Sequence, residues 1–262
     1  MPPLTPKPRP LTLIVATTPI PTPESTTIRL GIGHHGTLPW PRIKTDMSFF
    51  ARVTSRPPSP GTTNAIIMGR KTYDSVPAHL RPLAKRISTV ITRDVDSLAE
   101  RVGREVEARK AKLATTTSSS TASTSTAPGA EVPATDAIVC GGLDDAMQEL
   151  EKRYGEDGKL GKVFVIGGAE IYGAVLRGEG GVNGGPVRIV MTNVEKKGYQ
   201  GNNGEVFECD TLFPVDEDLF QEKEGWRKAT SEEVTEWVGE TVTGEWIEDG
   251  DVRVQMVGYE RV

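Results

Sequence analysis

Cysteine and histidine are scarce in this sequence. Its 262 residues include two cysteines, Cys140 and Cys209, and three histidines. Two cysteines cannot build a disulfide framework, and these two lack the spacing of metal ligands, so we expect reduced thiols. The adjacent His34 and His35 would need further ligands to hold a metal ion, and the remaining histidine is the distant His79. We therefore predict no metal centre.

The chain also lacks a large excess of one charge and a long apolar run. Its net charge is −5, from 36 acidic and 31 basic residues, which gives no electrostatic indication of a nucleic-acid partner. The proline-rich N-terminus has no apolar core of a signal peptide, and the run 11–16 is too short to span a membrane. Together these features predict a cytoplasmic protein without a membrane partner.

Two segments are unlike the sequence of a regular helix or strand. Every residue in 114–127 is Ala, Ser or Thr, so the segment has too little apolar surface to offset the entropy of ordering it. We predict a disordered insert at about 103–135, within a single domain that spans 1–262. The segment 17–27 contains three prolines and is predicted to be a loop, neither helix nor central strand.

The remaining sequence alternates between strand and helix patterns. Apolar stripes at helical spacing begin at Ile43, Leu143 and Ile171. Short apolar runs bounded by turn residues predict strands at 11–16, 65–68, 87–91, 137–140, 163–166, 187–192 and 252–259. This order predicts an α/β fold with a mostly parallel central sheet, helices on both faces and an antiparallel C-terminal strand. Ligands of such sheets bind where the strands end and helices begin.

A glycine motif in the N-terminal region matches the dinucleotide fingerprint only in its letters. Residues 31–36 read G-x-G-x-x-G, but the fingerprint requires a strand before it and a helix opening from it. The preceding residues are predicted to be loop, while Pro39 and Pro41 exclude a helix that runs on from Gly36. The motif is therefore not interpreted as a Rossmann site.

One carboxylate lies on an apolar helix face. The stripe Ile43, Met47, Phe50 and Val53 predicts a helix that begins just after Pro41, and Asp46 falls on its apolar side. A carboxylate in that position is costly without a partner or a function. Alternatively, Asp46 is a first-turn acidic residue that the helix dipole favours and that turns toward water. The pattern alone leaves both interpretations open.

Several segments between residues 11 and 259 together carry a family resemblance. In them the chain resembles the dihydrofolate reductases, in particular the eukaryotic, fungal-like ones. The segments are 31–33 with 36–41 and Asp46, then 66–73, 81–83 with Arg86, 163–168, and 210–214. The Ser/Thr-rich insert and the long loop after Ala16 depart from the compact pattern of that family.

The resemblance implies roles for residues on the substrate side. Asp46 would bind the amino group and ring N–H of the pterin and promote protonation at N5 through water. Thr192 would hydrogen-bond this carboxylate, and Trp40 would shield the site. Arg86 would bind the α-carboxylate of the folate glutamate with its planar guanidinium. Other implied substrate contacts are Ile14, Val15, Leu38, Met47, Phe50, Leu83, Ile166 and Tyr172.

The resemblance also implies NADPH as cofactor. Two glycine-containing turns enter helices and would hold its phosphates, and members of the family have a cis bond between the two glycines of the second turn. Thr92 and Arg93 resemble residues that contact the 2′-phosphate, and Ala16 would meet the nicotinamide through its backbone. The remaining implied cofactor contacts are Ile32, Gly36, Gly69, Arg70, Lys71, Thr72, Gly167, Gly168, Ala169, Glu170 and Ile171.

Two alternative functions share parts of this pattern. A reductase of the riboflavin pathway has a similar fold and uses NADPH, but it is not expected to carry Leu38, Trp40 and Asp46 in this arrangement. An NADPH-binding module without turnover would not need the substrate-side Asp46, Arg86 and Thr192. We therefore expect a monomeric enzyme of one-carbon metabolism that makes tetrahydrofolate and binds antifolates.

Overall fold

The structure is a computed structural model that describes residues 9–22, 28–119, 132–178, 186–199, 204–215, 219 and 225–261. The chain divides into two compact units. The first unit comprises Met1–Val53 and Val165–Val262, and the second comprises Thr54–Phe164. The prediction of a single domain stays a prediction.

The described residues form eleven strands and six α-helices. The strands are β1 (Leu11–Pro21), β2 (Ile28–Gly33), β3 (Thr63–Gly69), β4 (Ile87–Ile91), β5 (Asp136–Cys140), β6 (Leu160–Val165), β7 (Val187–Lys196), β8 (Thr211–Leu212), β9 (Trp226–Lys228), β10 (Ile247–Asp249) and β11 (Val252–Arg261). The helices are α1 (Lys44–Ser55), α2 (Arg70–Ser75), α3 (Val95–Ser119), α4 (Leu143–Leu150), α5 (Ala169–Leu176) and α6 (Ser231–Val238). A short 3₁₀ helix (Ala78–Leu80) and a π-helical turn (Glu151–Gly155) complete the list.

The first unit is organised around β1 and β7. These strands are parallel, and their neighbours follow in the order β10, β11, β7, β1. The C-terminal strand β11 is antiparallel to both β7 and β10. Leu13 of β1, Ile189 of β7 and Val254 of β11 are completely buried and form part of the core.

The second unit contains the strand order β6, β3, β4, β5. The pairs β3–β4 and β4–β5 are parallel, and every residue from Thr63 to Met68 is buried. Both faces of β3 are therefore covered, which explains the continuous apolar run at 65–68, and the polar Thr63 and Asn64 that precede it are buried as well. The predicted α/β class, with mostly parallel strands and an antiparallel C-terminal strand, is confirmed.

The predicted loop after Ala16 is partly wrong. Strand β1 continues to Pro21, and its residues from Thr18 onward pair with β2 in antiparallel register. A proline cannot donate to a strand ladder, but it is tolerated at an edge where no donor is needed. This edge position explains how a proline-bearing segment becomes a strand. Residues 23–27 of the predicted loop lie outside the described part of the chain.

The predicted disordered insert is also partly wrong. Helix α3 runs to Ser119, so residues 103–119 of the segment predicted as disordered are helical. Its buried side chains Leu98, Val102 and Val106 recur every four residues and anchor one face of the helix. The Ala/Ser/Thr composition concealed this helix because its anchors lie at the N-terminal end. Residues 120–131 lie outside the described residues.

Helix α6 was not predicted, although its start has a recognisable sequence. The hydroxyl of Thr230 accepts from the N–H of Glu233, and the Glu233 carboxylate accepts from the N–H of Thr230 at 2.8 Å. This is a capping box, and the left-handed Gly239 ends the helix.

Among the described residues, no helix has both the length and the apolar character that crossing a membrane would require.

Leu98 and Leu113 provide a matched test of how α3 is anchored. Leu98 is 5% exposed whereas Leu113 is half-buried. We expect Leu98→Ala to lower the free energy of unfolding by about 2–5 kcal/mol, because a buried leucine loses both its transfer energy and its packing. Leu113→Ala should lower it by less than about 1 kcal/mol. Urea unfolding of both variants measures the difference, and equal losses would contradict this view of the helix.

Candidate active site

Helix α1 holds Asp46 in its first turn. The helix starts where the Asp249 carboxylate accepts a hydrogen bond of 2.7 Å from the N–H of Thr45. The buried face of α1 carries Phe49 and Val53, whereas the stripe predicted from the sequence also included Met47 and Phe50. Met47 is exposed, and Phe50 and Asp46 are half-buried. The side of α1 that bears the carboxylate is thus only partly covered.

Asp46 is paired with a buried threonine. The side chain of Thr192, in the middle of β7, hydrogen-bonds the Asp46 carboxylate. Burial raises the pKa of Asp46, and the hydrogen bond from Thr192 opposes that shift because it favours the charged form. Thr192 is 2% exposed and lies opposite Ala16 in the parallel pairing of β1 and β7. Asp46, Thr192 and Ala16, which all have roles implied by the family resemblance, therefore lie close together.

Tyr172 lies near this carboxylate and is fully buried. Its hydroxyl donates a hydrogen bond of 2.6 Å to the backbone carbonyl of Ile14. Its ring contacts the ring of Phe213 edge-on, with the two ring centroids 5.2 Å apart. Burial raises the pKa of Tyr172 far above its ordinary value, and the charge of Asp46 raises it further. The phenol therefore stays neutral and fixes the backbone at Ile14. Val15, the next residue of β1, is also buried.

Gly167 and Gly168 connect the end of β6 to the start of α5. The bond between them is cis, as the resemblance implied, and Gly167 has a φ of 129° that side-chain-bearing residues rarely adopt. The carbonyl of Gly168 accepts from the N–H groups of Ile171 and Tyr172. The N–H groups of Ala169 and Glu170, in the first helical turn, have no acceptor within the helix. Preceding this turn, Ile166 is half-buried.

The glycine motif at 31–36 covers the end of β2 and most of the hairpin turn that follows it. Hydrogen bonds of 2.9 and 3.0 Å join His34 and Thr37, and Gly36 has a φ of 76°. Strand β2, which carries the half-buried Ile32, precedes the turn, so the loop predicted there was wrong. No helix opens from Gly36, and the Rossmann interpretation remains rejected.

Beyond the hairpin turn, Leu38 is half exposed and Trp40 is buried. The indole of Trp40 contacts the ring of Phe207 edge-on, with their centroids 6.0 Å apart. Phe207 was not predicted, because nothing in the sequence near it indicates a partner for a tryptophan 167 positions earlier. The contact fixes the indole in place.

In the second unit, Arg86 directly precedes β4 and is 7% exposed. Burial lowers the pKa of Arg86 to about 10, which still leaves the guanidinium protonated near neutral pH. Leu83 is half-buried. The planar guanidinium of Arg86 has donors that can bind a carboxylate at two points.

The second unit also carries the predicted phosphate-binding residues. Gly69 caps α2, where Arg70 and Lys71 are exposed and Thr72 is half-buried. After β4, the hydroxyl of Thr92 accepts from the N–H of Asp94 at 3.2 Å, and Arg93 is exposed. Arg70 lines a cavity of about 400 Å³ together with Asp74, Asp94, Ser97, Leu98, Glu100, Arg101 and Arg104. Lys71, Thr72, Thr92 and Arg93 do not line it.

Arg101 and Arg104 in that cavity were missed from the sequence. Both lie on α3, inside or beside the segment that composition assigned to loop. Arg101 donates a hydrogen bond of 2.6 Å to Asp74, so the cavity contains both cations and carboxylates. The four-residue periodicity of the buried residues of α3 would have placed these arginines on one helix.

Comparisons with known proteins point to one family. A model of the dihydrofolate reductase family matches residues 25–132. The dihydrofolate reductase of Heliothis virescens is 33% identical over 192 residues, which is 73% of this chain and 77% of that protein. The Pneumocystis carinii dihydrofolate reductase is 31% identical over 249 residues, covering 92% of this chain and 91% of that protein.

A solved structure agrees with these relatives. The Schistosoma mansoni dihydrofolate reductase superposes with a TM-score of 0.57 at 26% sequence identity. The match covers 97% of this chain and 99% of the other. The similarity therefore extends over nearly all of both chains.

Replacing Thr192 by valine tests the contact with Asp46. Because the threonine hydroxyl stabilises the charged carboxylate, the pKa of Asp46 should rise further above its ordinary value in Thr192→Val. Thr192→Ser keeps the hydroxyl and should leave that pKa close to the parent value. Titration of the Asp46 carboxyl carbon by NMR makes the comparison. The same pKa in the valine variant and the parent would show that the hydrogen bond has no influence on ionisation.

Proposed function

Because the chain belongs to the dihydrofolate reductase family, we propose that it reduces 7,8-dihydrofolate to 5,6,7,8-tetrahydrofolate with NADPH as hydride donor. The observation that carries this proposal is the half-buried Asp46 carboxylate on an otherwise apolar face of α1. The side chain of Thr192, in β7, forms a hydrogen bond with this carboxylate. A carboxylate held in that way is suited to bind a heterocycle that offers adjacent N–H donors. The cytoplasmic location and the monomeric state expected from the sequence are part of the proposal.

Asp46 binds the pterin in this proposal. Its two oxygens accept from the 2-amino group and from a ring N–H, a charge-assisted two-point contact. Thr192 keeps the carboxylate in the orientation that this contact needs. Burial strengthens the interaction, because a charge–dipole contact is screened less in a low-dielectric site than in water.

Asp46 also controls a proton. Burial raises the pKa of Asp46, so the carboxyl group exchanges protons at a higher pH than an exposed aspartate would. Through a water molecule it promotes protonation of N5, which makes the C6=N5 bond a better hydride acceptor. The carboxylate itself does not contact C6.

Arg86 is assigned the carboxylate of the glutamate tail. It is buried and cationic, and its forked donors match a carboxylate at two points. The apolar residues implied by the family resemblance are proposed to contact the pterin and benzoyl rings of the substrate. Those residues are Ile14, Val15, Leu38, Met47, Phe50, Leu83 and Ile166, with Tyr172 supporting the backbone at Ile14.

The proposed cofactor-binding residues fit a dinucleotide with several phosphates. Exposed Arg70, Lys71 and Arg93 supply positive charge, and the Gly167–Gly168 turn brings backbone N–H groups to the start of α5. When bound, NADPH supplies the hydride. Ala16 contributes backbone contacts beside Thr192, and Trp40 excludes water from the site. The other assigned contacts are Ile32, Gly36, Gly69, Thr72, Thr92, Ala169, Glu170 and Ile171.

The experiment that tests this function follows the loss of NADPH absorbance with purified protein. Dihydrofolate should support turnover, and a tight-binding antifolate should abolish it. A ribosylaminopyrimidine substrate tests the riboflavin-pathway alternative, and NADPH binding without turnover on either substrate would indicate a binding module. Activity only on the pyrimidine, or on neither substrate, would overturn the proposal.

Asp46→Asn should lower turnover at neutral pH by about a hundred- to ten-thousand-fold, the usual contribution of a general acid–base group. The amide keeps the size of the side chain but removes the charge that favours a proton on N5. NADPH affinity should hardly change. As the pH falls, solvent should supply the proton, so the rate of the variant should approach that of the parent. Steady-state pH profiles measure this convergence.

Asp249→Asn is the matched control for Asp46→Asn, since it removes one carboxylate of β10 that contacts the first turn of the same helix. Its turnover should stay near the parent value and show no recovery in acid. The folded-state pKa of Asp46 is raised, so its ionisation costs stability as the pH rises. Asp46→Asn should therefore be at least as stable as the parent at neutral pH. A deficit of the Asp46 variant that persists unchanged in acid would exclude the proton role.

Arg70 and Arg93 should carry the preference for NADPH over NADH. The 2′-phosphate is the difference between the two cofactors, and hydrogen bonds to charged groups contribute about 1.5–3 kcal/mol. Replacing both arginines by glutamine should weaken NADPH binding by at least about tenfold and leave NADH binding nearly unchanged. Fluorescence titration with each cofactor measures the two affinities.

The control is Arg153→Gln, which replaces an exposed arginine paired with Glu149 and should change neither affinity. Equal losses for both cofactors would mean that the arginines contact a shared phosphate.

A further inference from the structure

A cluster of two histidines and one aspartate lies at the hairpin turn after β2. His34 and His35 directly follow the strand, and Asp210 lies 175 residues after His35, immediately before β8. One potential ligand atom from each of the three residues lies within 4.8 Å of the other two. None of the three side chains has a role in the proposed reaction.

The backbone holds the cluster in place. Strands β2 and β8 pair, and the N–H of Asp210 donates to the carbonyl of Gly33 at 3.0 Å. In return, the Asp210 carboxylate accepts from the N–H of His35 at 2.7 Å. Two hydrogen bonds between His34 and Thr37 close the turn. A ligand therefore does not have to bring distant chain segments together.

The two imidazoles lie next to each other, with their ring planes inclined by 48°. Their ring centroids are 4.0 Å apart, and Nδ1 of His35 lies 3.4 Å from the Asp210 carboxylate. His35 has a φ of 48°, a left-handed conformation that histidine adopts more readily than most residues. Nδ1 of His34 is buried and has no hydrogen-bond partner among the described residues. A buried ring nitrogen without a partner is costly, and a metal ion would provide one.

Two imidazole nitrogens and one carboxylate oxygen are a donor set for a borderline transition-metal ion. Zn²⁺ bonds to such atoms at about 2.0–2.2 Å, so neighbouring ligands of a tetrahedral site lie roughly 3.3 Å apart. Small side-chain rotations would bring donors that already lie within 4.8 Å to that separation. Each Asp210 oxygen accepts one hydrogen bond, from His35 or Thr211, and keeps a lone pair for a metal. Mg²⁺ prefers oxygen ligands and does not match the set.

We propose that His34, His35 and Asp210 form a binding site for a divalent transition-metal ion of the Zn²⁺ type, with water as its fourth ligand. The His35 and Asp210 side chains are 80% and 44% exposed, so an ion can enter from solvent. Such an ion would join the β2 hairpin turn to the chain at Asp210. The site was not expected from the sequence, because Asp210 had not been considered as a third ligand.

The test is calorimetric titration of the full chain with ZnCl₂ in a buffer that does not chelate metals, without substrate or cofactor. The parent should bind one equivalent. His34→Gln and His35→Asn should each weaken binding by more than about tenfold, the loss that even an outer partner of a metal ligand causes. Asparagine is used at position 35 because it also tolerates a left-handed backbone. MgCl₂ should give no binding at this site.

His79→Gln is the matched control, since His79 is exposed in the 3₁₀ helix and is not part of the cluster. It should bind Zn²⁺ as the parent does. Absence of stoichiometric binding by the parent, or unchanged affinity in His34→Gln or His35→Asn, would overturn the proposal. If a variant fails to fold, electron paramagnetic resonance of the parent with one equivalent of Cu²⁺ decides the question. Coupling to two imidazole nitrogens supports the site, and coupling to fewer rejects it.

Discussion

The hydrogen bond between Thr192 and the Asp46 carboxylate is the interaction on which the candidate site depends. A carboxylate on a partly covered apolar face is expensive, and one hydroxyl from β7 compensates part of that cost. Thr192 can supply it because the parallel pairing of β7 with β1 sets its register. A slip by one residue would turn Thr192 to the opposite face of the strand and leave Asp46 without this partner.

Most strands could be predicted because burial on both faces leaves a continuous apolar run. Asp46 could be located from helical spacing, but its partner could not. Thr192 is 146 positions away, and only the family resemblance pointed to it. Within α1 the predicted apolar stripe included Phe50, which is half-buried, and left out Phe49, which is buried. Neighbouring aromatic residues differ by about 100° around a helix, so a small error in phase exchanges them.

The elements that were missed depend on local chemistry or on distant partners. The capping box of α6 was present in the sequence and could have been recognised. Part of helix α3 was predicted to be disordered because the Ala/Ser/Thr-rich composition of its C-terminal end was extended toward its start, where the buried apolar residues lie. The approach of Asp210 to His35 results from the pairing of two short strands far apart in sequence, and no local pattern encodes it.

Strand β1 belongs to two hydrogen-bonded networks in succession. Its first seven residues pair with β7, whereas Thr18–Pro21 pairs with β2, which in turn pairs with β8. The β2 hairpin is thus attached at the far end of β1, away from the parallel pairs at the centre of the first unit. It can separate from its neighbours without breaking those central pairs, so its amide protons should exchange with solvent through local opening while those of residues 11–17 require a larger unfolding event.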